Sequence, residues 1–138
     1  VIVVDTNVVA ELMRPEPHEA VLRWSLAQPG IELYTTAITV AEVLSGIERL
    51  PAGQRKDQLR STATEVFATF EGHVLAFDAA AAVHYPLIVD ARDRLGRPID
   101  GFDAQIASIC RASRSALATH NVGDFEDTGV EVVDPWRG

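Results

Sequence analysis

The side chains best suited to chemistry in this chain are carboxylates, and four of them stand where apolar runs give way to polar sequence. Asp5 follows the run "VIVV", Glu42 comes soon after "ELYTT", and Asp124 comes soon after "ALAT". Asp103 opens the apolar-faced segment "DGFDAQIASICRASR". Ionised groups stay near water unless something compensates their charge. Four carboxylates at one edge of a sheet repel: two unit charges about 5 Å apart at an effective dielectric of about 20 cost about 3 kcal/mol. A hard divalent cation removes that cost, and an all-oxygen donor set points to Mg²⁺ or Mn²⁺. Zinc is disfavoured, because His18, His73, His84 and His120 are scattered and Cys110 is the only cysteine. Each acid taken alone also fits a helix start. Asp5 can cap the next helix, Thr39 to Glu42 spells a T-x-x-E capping box, and Asp100 can cap a helix with Asp103 in its first turn. Capping and metal binding are compatible, since helix N-termini keep carboxylates ionised.

The elements that must position these acids follow from hydrophobic periodicity. Residues 1–4 read as a buried strand, with a helix over 6–14 and an amphipathic helix over 18–28 that turns Val21, Leu22, Trp24 and Leu26 inward and ends at Pro29-Gly30. A strand over 31–36 precedes a helix over 39–50 with Val40, Val43, Leu44 and Ile47 on one face. A polar helix covers 53–70, a short strand 73–77, and a helix 78–95 with a kink or break at Pro86. The strong helix over 100–114 buries Phe102, Ile106, Ile109 and Cys110. A strand over 116–119, a loop over 120–129 and a strand over 130–136 complete the chain. Strands alternating with helices imply an α/β sandwich around a mostly parallel sheet. In such sheets ligands bind beyond the carboxyl ends of the strands, where the acids fall.

The 138 residues form one domain, 1–138, with 47% hydrophobic and 23% charged residues. No apolar stretch approaches the ~20 residues that span a bilayer. No secretory leader is expected, and the lack of an initiator Met implies a natural chain beginning at least one residue earlier. A single cysteine, expected in the core, fits a reducing cytoplasm. The net charge of -8 argues against binding nucleic acid by charge alone, unless a local basic patch or a bound cation reverses the sign at one spot.

Four segments in order, "VVDTNVVAEL", "AITVAEVLSGI", "DGFDAQIASICR" and "LATHNVGDFEDTGVEVVDPW", resemble PIN-domain ribonucleases, above all the VapC-type toxins of bacterial toxin–antitoxin pairs and their FitB-like branch. The resemblance implies a three-layer α/β/α fold and an acidic pocket for Mg²⁺ or Mn²⁺. It places Asp5, Glu42, Asp103 and Asp124 as the catalytic acids, with Asp5 and Asp103 as direct metal ligands. Some relatives carry the fourth acid where this chain has Asn121, others where Asp124 lies. Thr6, Thr119 and Asn121 are then polar support, and Asn7 follows the same pattern. It also implies cleavage of RNA, a cognate antitoxin that pushes an arginine toward the pocket, and a homodimer. Arg14, Arg92, Arg94 and Arg97 are candidates to hold the RNA backbone, against a bland reading as solvated helix faces. Two alternatives stand beside this one. One is a PIN-like module that only binds its partner. The other is a phosphoacceptor domain, disfavoured because Lys56 is the only lysine and lies away from any strand end.

Overall fold

Ile2, Val3 and Val4 carry β-branched side chains that crowd a helix and fit a pleated strand, and they form β1 (Ile2–Val4). In the computed structural model, which describes residues 1–29 and 32–137, β1 lies at the centre of the sheet. Around it are β2 (Leu33–Thr36), β3 (Val74–Leu75), β4 (Ala116–Ala118) and β5 (Val132–Val133). Among the described residues the five strands run in the order β3-β2-β1-β4-β5, and every pairing is parallel. Gly30 and Ile31, expected as a helix stop and the first strand residue, lie outside the described residues.

The helices are α1 (Thr6–Leu12), α2 (Glu19–Ala27), α3 (Ala37–Glu48), α4 (Gln54–Ala68), α5 (Ala79–Ala82), α6 (Tyr85–Arg94) and α7 (Gly101–Ser113). Successive strand residues point to opposite faces, and the core divides accordingly. Val4 and Ala118 join Val8, Val9, Val21, Val43 and Ile47 on one face; Val3 and Leu117 join Ile88, Ile106, Cys110 and Phe125 on the other. The result is the expected three-layer α/β/α sandwich. Among the described residues no helix is long and apolar enough to cross a membrane.

Several local expectations are corrected. The capping box at Thr39–Glu42 does not form. Thr36, the last residue of β2, caps α3 instead, its hydroxyl accepting from Thr39 N at 3.1 Å. The helix starts earlier than its apolar stripe suggests because the strand feeds it directly. Glu42 is thereby freed from capping. The break near Pro86 falls just before it, at Val83 and His84, which puts the proline in the first turn of α6, where a missing N–H costs nothing. Leu22, Leu26, Leu44 and Phe102 are exposed, Leu26 at 76% and Phe102 at 52%. Phe102 shares a helical stripe with Ile106 and Ile109, yet it stands on the first turn of α7, beyond the layer that covers the later turns.

Candidate active site

Two of the three central strands pass into helices with no intervening loop. Asp5 follows β1 and caps α1, its Oδ1 accepting from Thr6 N at 2.8 Å. Thr36 ends β2 and caps α3. Beside them β4 ends at Ala118, whose carbonyl accepts from Asp5 N at 2.9 Å. Asp5 and Thr119 are therefore neighbours at one rim, and Thr119 donates its hydroxyl proton to Asp5 Oδ2 at 2.8 Å. With that proton committed, Thr119 Oγ1 accepts from Asn7 Nδ2 at 3.0 Å and from Asn121 N at 3.1 Å. Asn7 Oδ1 in turn accepts from His120 N at 3.1 Å. Asn121 thus takes part through its main chain.

The carboxylate of Glu42 reaches the same rim from the second turn of α3. Thr6 Oγ1 donates to Glu42 Oε1 at 2.9 Å and also lies 3.1 Å from Thr39 Oγ1. A hydroxyl holds one proton, so Thr6 gives it to Glu42 and accepts from Thr39. Asp103 enters from the first turn of α7, and Asp124 from the short 3₁₀ turn Val122–Phe125.

Electrostatics binds these four into one group. Asp5 is 4% exposed, and burial raises its pKa against the opposing hydrogen bonds from Thr119 and Thr6, with Asp124 adding to the rise. Glu42 is raised by burial first, then by the charges of Asp5 and Asp100. Asp103 is pushed up to about 7, by burial and then by Asp5, Asp100, Asp124 and Glu42. Asp100 is the residue sequence reasoning missed. It does cap α7, accepting from Phe102 N at 3.0 Å, but its charge also acts on Glu42 and Asp103. The D-x-x-D spacing was visible; the capping role hid the second one.

These acids share one edge without closing on one point: among the described residues no three His, Cys, Asp or Glu side chains are grouped as ligands of a single ion. The chemistry of the set nonetheless fits a hard divalent cation. The donors are carboxylate oxygens, their ionised forms are disfavoured by one another, and a cation relieves both penalties. Cys110 offers no competing thiolate, since burial raises its thiol to about 12.

A pH dependence follows for the metal-free protein. Asp103 has a folded pKa of about 7 against an ordinary value of 3.8, so the folded state holds the extra proton between them. Stability therefore falls as pH rises from about 4 to about 7 and levels off above that. Thermal melts should show a midpoint roughly 5 °C lower at pH 8 than at pH 5.5, with Mn²⁺ restoring more at the higher pH. Equal midpoints without metal would contradict the clustering of the acids.

The basic residues proposed to hold RNA are largely engaged elsewhere. Arg14 pairs with Glu11, Arg94 with Asp90, and Arg97 with Glu126 and Asp127, while Arg92 is buried. An open groove of ≈ 890 Å³ is lined by Thr6 and Glu42 together with Met13, Ile47 and Leu59 and by Arg14 and Arg55.

Comparison with known proteins places this geometry. Residues 2–131 match the family model described as PIN domain. The plasmid stability protein StbB of Pseudomonas syringae pv. tomato is 37% identical over 137 residues, covering 99% of each chain. The VapC ribonuclease Y4jK of Sinorhizobium fredii is also 37% identical, over 99% of this chain and 98% of its own. The solved structure of FitAcB from Neisseria gonorrhoeae superimposes with a TM-score of 0.92 at 32% identity, covering 100% of both chains.

Proposed function

The chain belongs to the PIN-domain family, and we propose that it is a divalent-metal-dependent endoribonuclease, the toxin half of a toxin–antitoxin pair. One observation carries this reading: carboxylates from four separate parts of the chain share one sheet edge, where burial first and neighbouring carboxylate charge second raise the pKa of Asp5, Glu42 and Asp103. The names of the relatives support it, one being the VapC ribonuclease Y4jK and another Toxin FitB of Neisseria gonorrhoeae, 33% identical over 99% of each chain.

A divalent cation such as Mg²⁺ or Mn²⁺, when bound, would lower the pKa of a water and offset charge on the scissile phosphate. Asp5 and Asp103 are the residues that would hold the cation. Glu42 and Asp124 orient the attacking water or take its proton, and in-line attack leaves a 5′-phosphate and a 3′-hydroxyl. Thr6 and Thr119 keep one oxygen each of Glu42 and Asp5 turned into the site, and Asn121 frames the turn that leads to Asp124. The cation also accounts for RNA binding by a protein of charge -8, because it reverses the local sign.

The groove lined by Thr6 and Glu42 suits an extended or helical segment of an antitoxin, apolar along its floor and basic where it reaches the acids, so that a guanidinium replaces the cation. A homodimer in the cytoplasm completes the reading, with Val83, Leu87 and Leu95 supplying exposed apolar surface for the pairing.

The test is RNA cleavage by purified, antitoxin-free protein. Products with 5′-phosphate ends are expected with Mg²⁺ or Mn²⁺, and cleavage should cease in excess EDTA. Cleavage that persists in the chelator would reject the metal chemistry, and none under any condition would leave only a binding module.

A further inference from the structure

Arg92 lies in the last turn of α6 and is 5% exposed, a rare place for a guanidinium that has no carboxylate partner among the described residues. Its donors go to main-chain carbonyls. Nε donates to Arg97 O at 2.7 Å, and Nη1 donates to Asp124 O at 2.8 Å and Glu126 O at 3.0 Å. One of those carbonyls lies within the turn that carries Asp124, and another is on Glu126, the residue that ends it. Arg97 holds the same turn from the solvent side, with Nη2 donating to Gly123 O at 3.2 Å and to Glu126 Oε2 at 3.1 Å.

The other acids are secured differently. Asp5 and Glu42 are fixed by hydrogen bonds to their own carboxylate oxygens, and Asp103 rides on a buried helix. Asp124 is exposed, and among the described residues no hydrogen bond to its carboxylate is made, so its main chain sets its place. A rigid guanidinium fork can bridge carbonyls from two loops at once, which a lysine ammonium on a flexible stem does poorly. Phe125, 1% exposed, and the Thr128 hydroxyl on Phe125 O at 2.6 Å anchor the turn independently, so it stays folded without Arg92.

We propose that Arg92 is a positioning residue of the nuclease site: its buried guanidinium fixes the main chain at Asp124 and so determines where that carboxylate stands. This rests on the metal-dependent nuclease reading above.

The experiment compares full-length R92K, D124N and the double variant with R94M, Arg94 being 80% exposed and paired with Asp90 on its own helix. In metal-free protein, amide exchange over 122–127 should quicken about 10-fold in R92K and stay at the parental rate in R94M. Mn²⁺-dependent kcat should fall about 10-fold in R92K, with a higher half-saturating Mn²⁺ concentration. Added to D124N, R92K should cost less than about 2-fold further. Equal losses in both backgrounds, or unchanged exchange, would overturn the inference. Should R92K fail to fold, R97Q, which removes the outer half of the clamp, must show the same pattern at about 3-fold amplitude, or the inference is likewise overturned. Parental protein that lacks metal-dependent cleavage sinks the nuclease reading alone, since the exchange comparison is made without metal.

Discussion

Asp103→Asn is expected to lower metal-dependent RNA cleavage by about 10³-fold while making the metal-free protein more stable at pH 8. Asparagine keeps the shape of the side chain and removes its charge. The charge is what a cation needs, and its removal is what the neighbours favour. With a pKa of about 7, Asp103 is the acid most strongly opposed by its surroundings, first by burial and then by Asp5, Asp100, Asp124 and Glu42. The stabilisation should reach about 2–4 kcal/mol at pH 8, as a raise from 3.8 to about 7 requires, and fade toward pH 4, where the folded-state carboxyl is neutral like the amide. Urea titrations at the two pH values, beside a cleavage assay in Mn²⁺, measure both effects. Loss of activity together with loss of stability would mean that Asp103 serves the first turn of α7 structurally and is not a metal ligand.

The second large effect concerns the same helix one turn further on. Ile106→Ala should lower the free energy of unfolding by about 2–5 kcal/mol, out of the 5–15 kcal/mol typical of a domain. Ile106 is fully buried and packs with Val3, Ile88, Leu117 and Phe125, so truncation leaves a void bounded by a strand pair and two other elements that cannot all close on it. The urea midpoint should drop with an unchanged slope. A loss below about 1 kcal/mol would show that this face of α7 is not the fastening face.

Much of this was legible along the chain. "VIVVD" and "ALATHNVGD" announced strands that end beside acids, because β-branched runs and strand-end polar residues are local signals. The parallel sheet then followed from alternation alone. What the chain order concealed depended on contacts made across it. The start of α3 was misplaced because β2 runs directly into it, which makes Thr36 and not Thr39 the cap. Phe102, Leu44 and Leu26 carry the right spacing for burial, but spacing says nothing about which turn of a helix a neighbour covers. Arg92 read as a surface charge because its carbonyl partners at Asp124 and Glu126 lie 32 and 34 residues further along the chain. Asp100 was visible and misjudged, since a good cap gave it a sufficient reason to exist.

The groove lined by Thr6 and Glu42 has a consequence for control. Its lining includes Thr6 and Glu42, joined by a hydrogen bond, so under the proposed nuclease reading a chain laid along it reaches one of the acids. Silencing needs no relay through the fold and no second conformation. Under the proposed reading it is a matter of occupancy: the fraction of molecules shut off would equal the fraction covered, and activity would return as fast as the cover is degraded or dissociates.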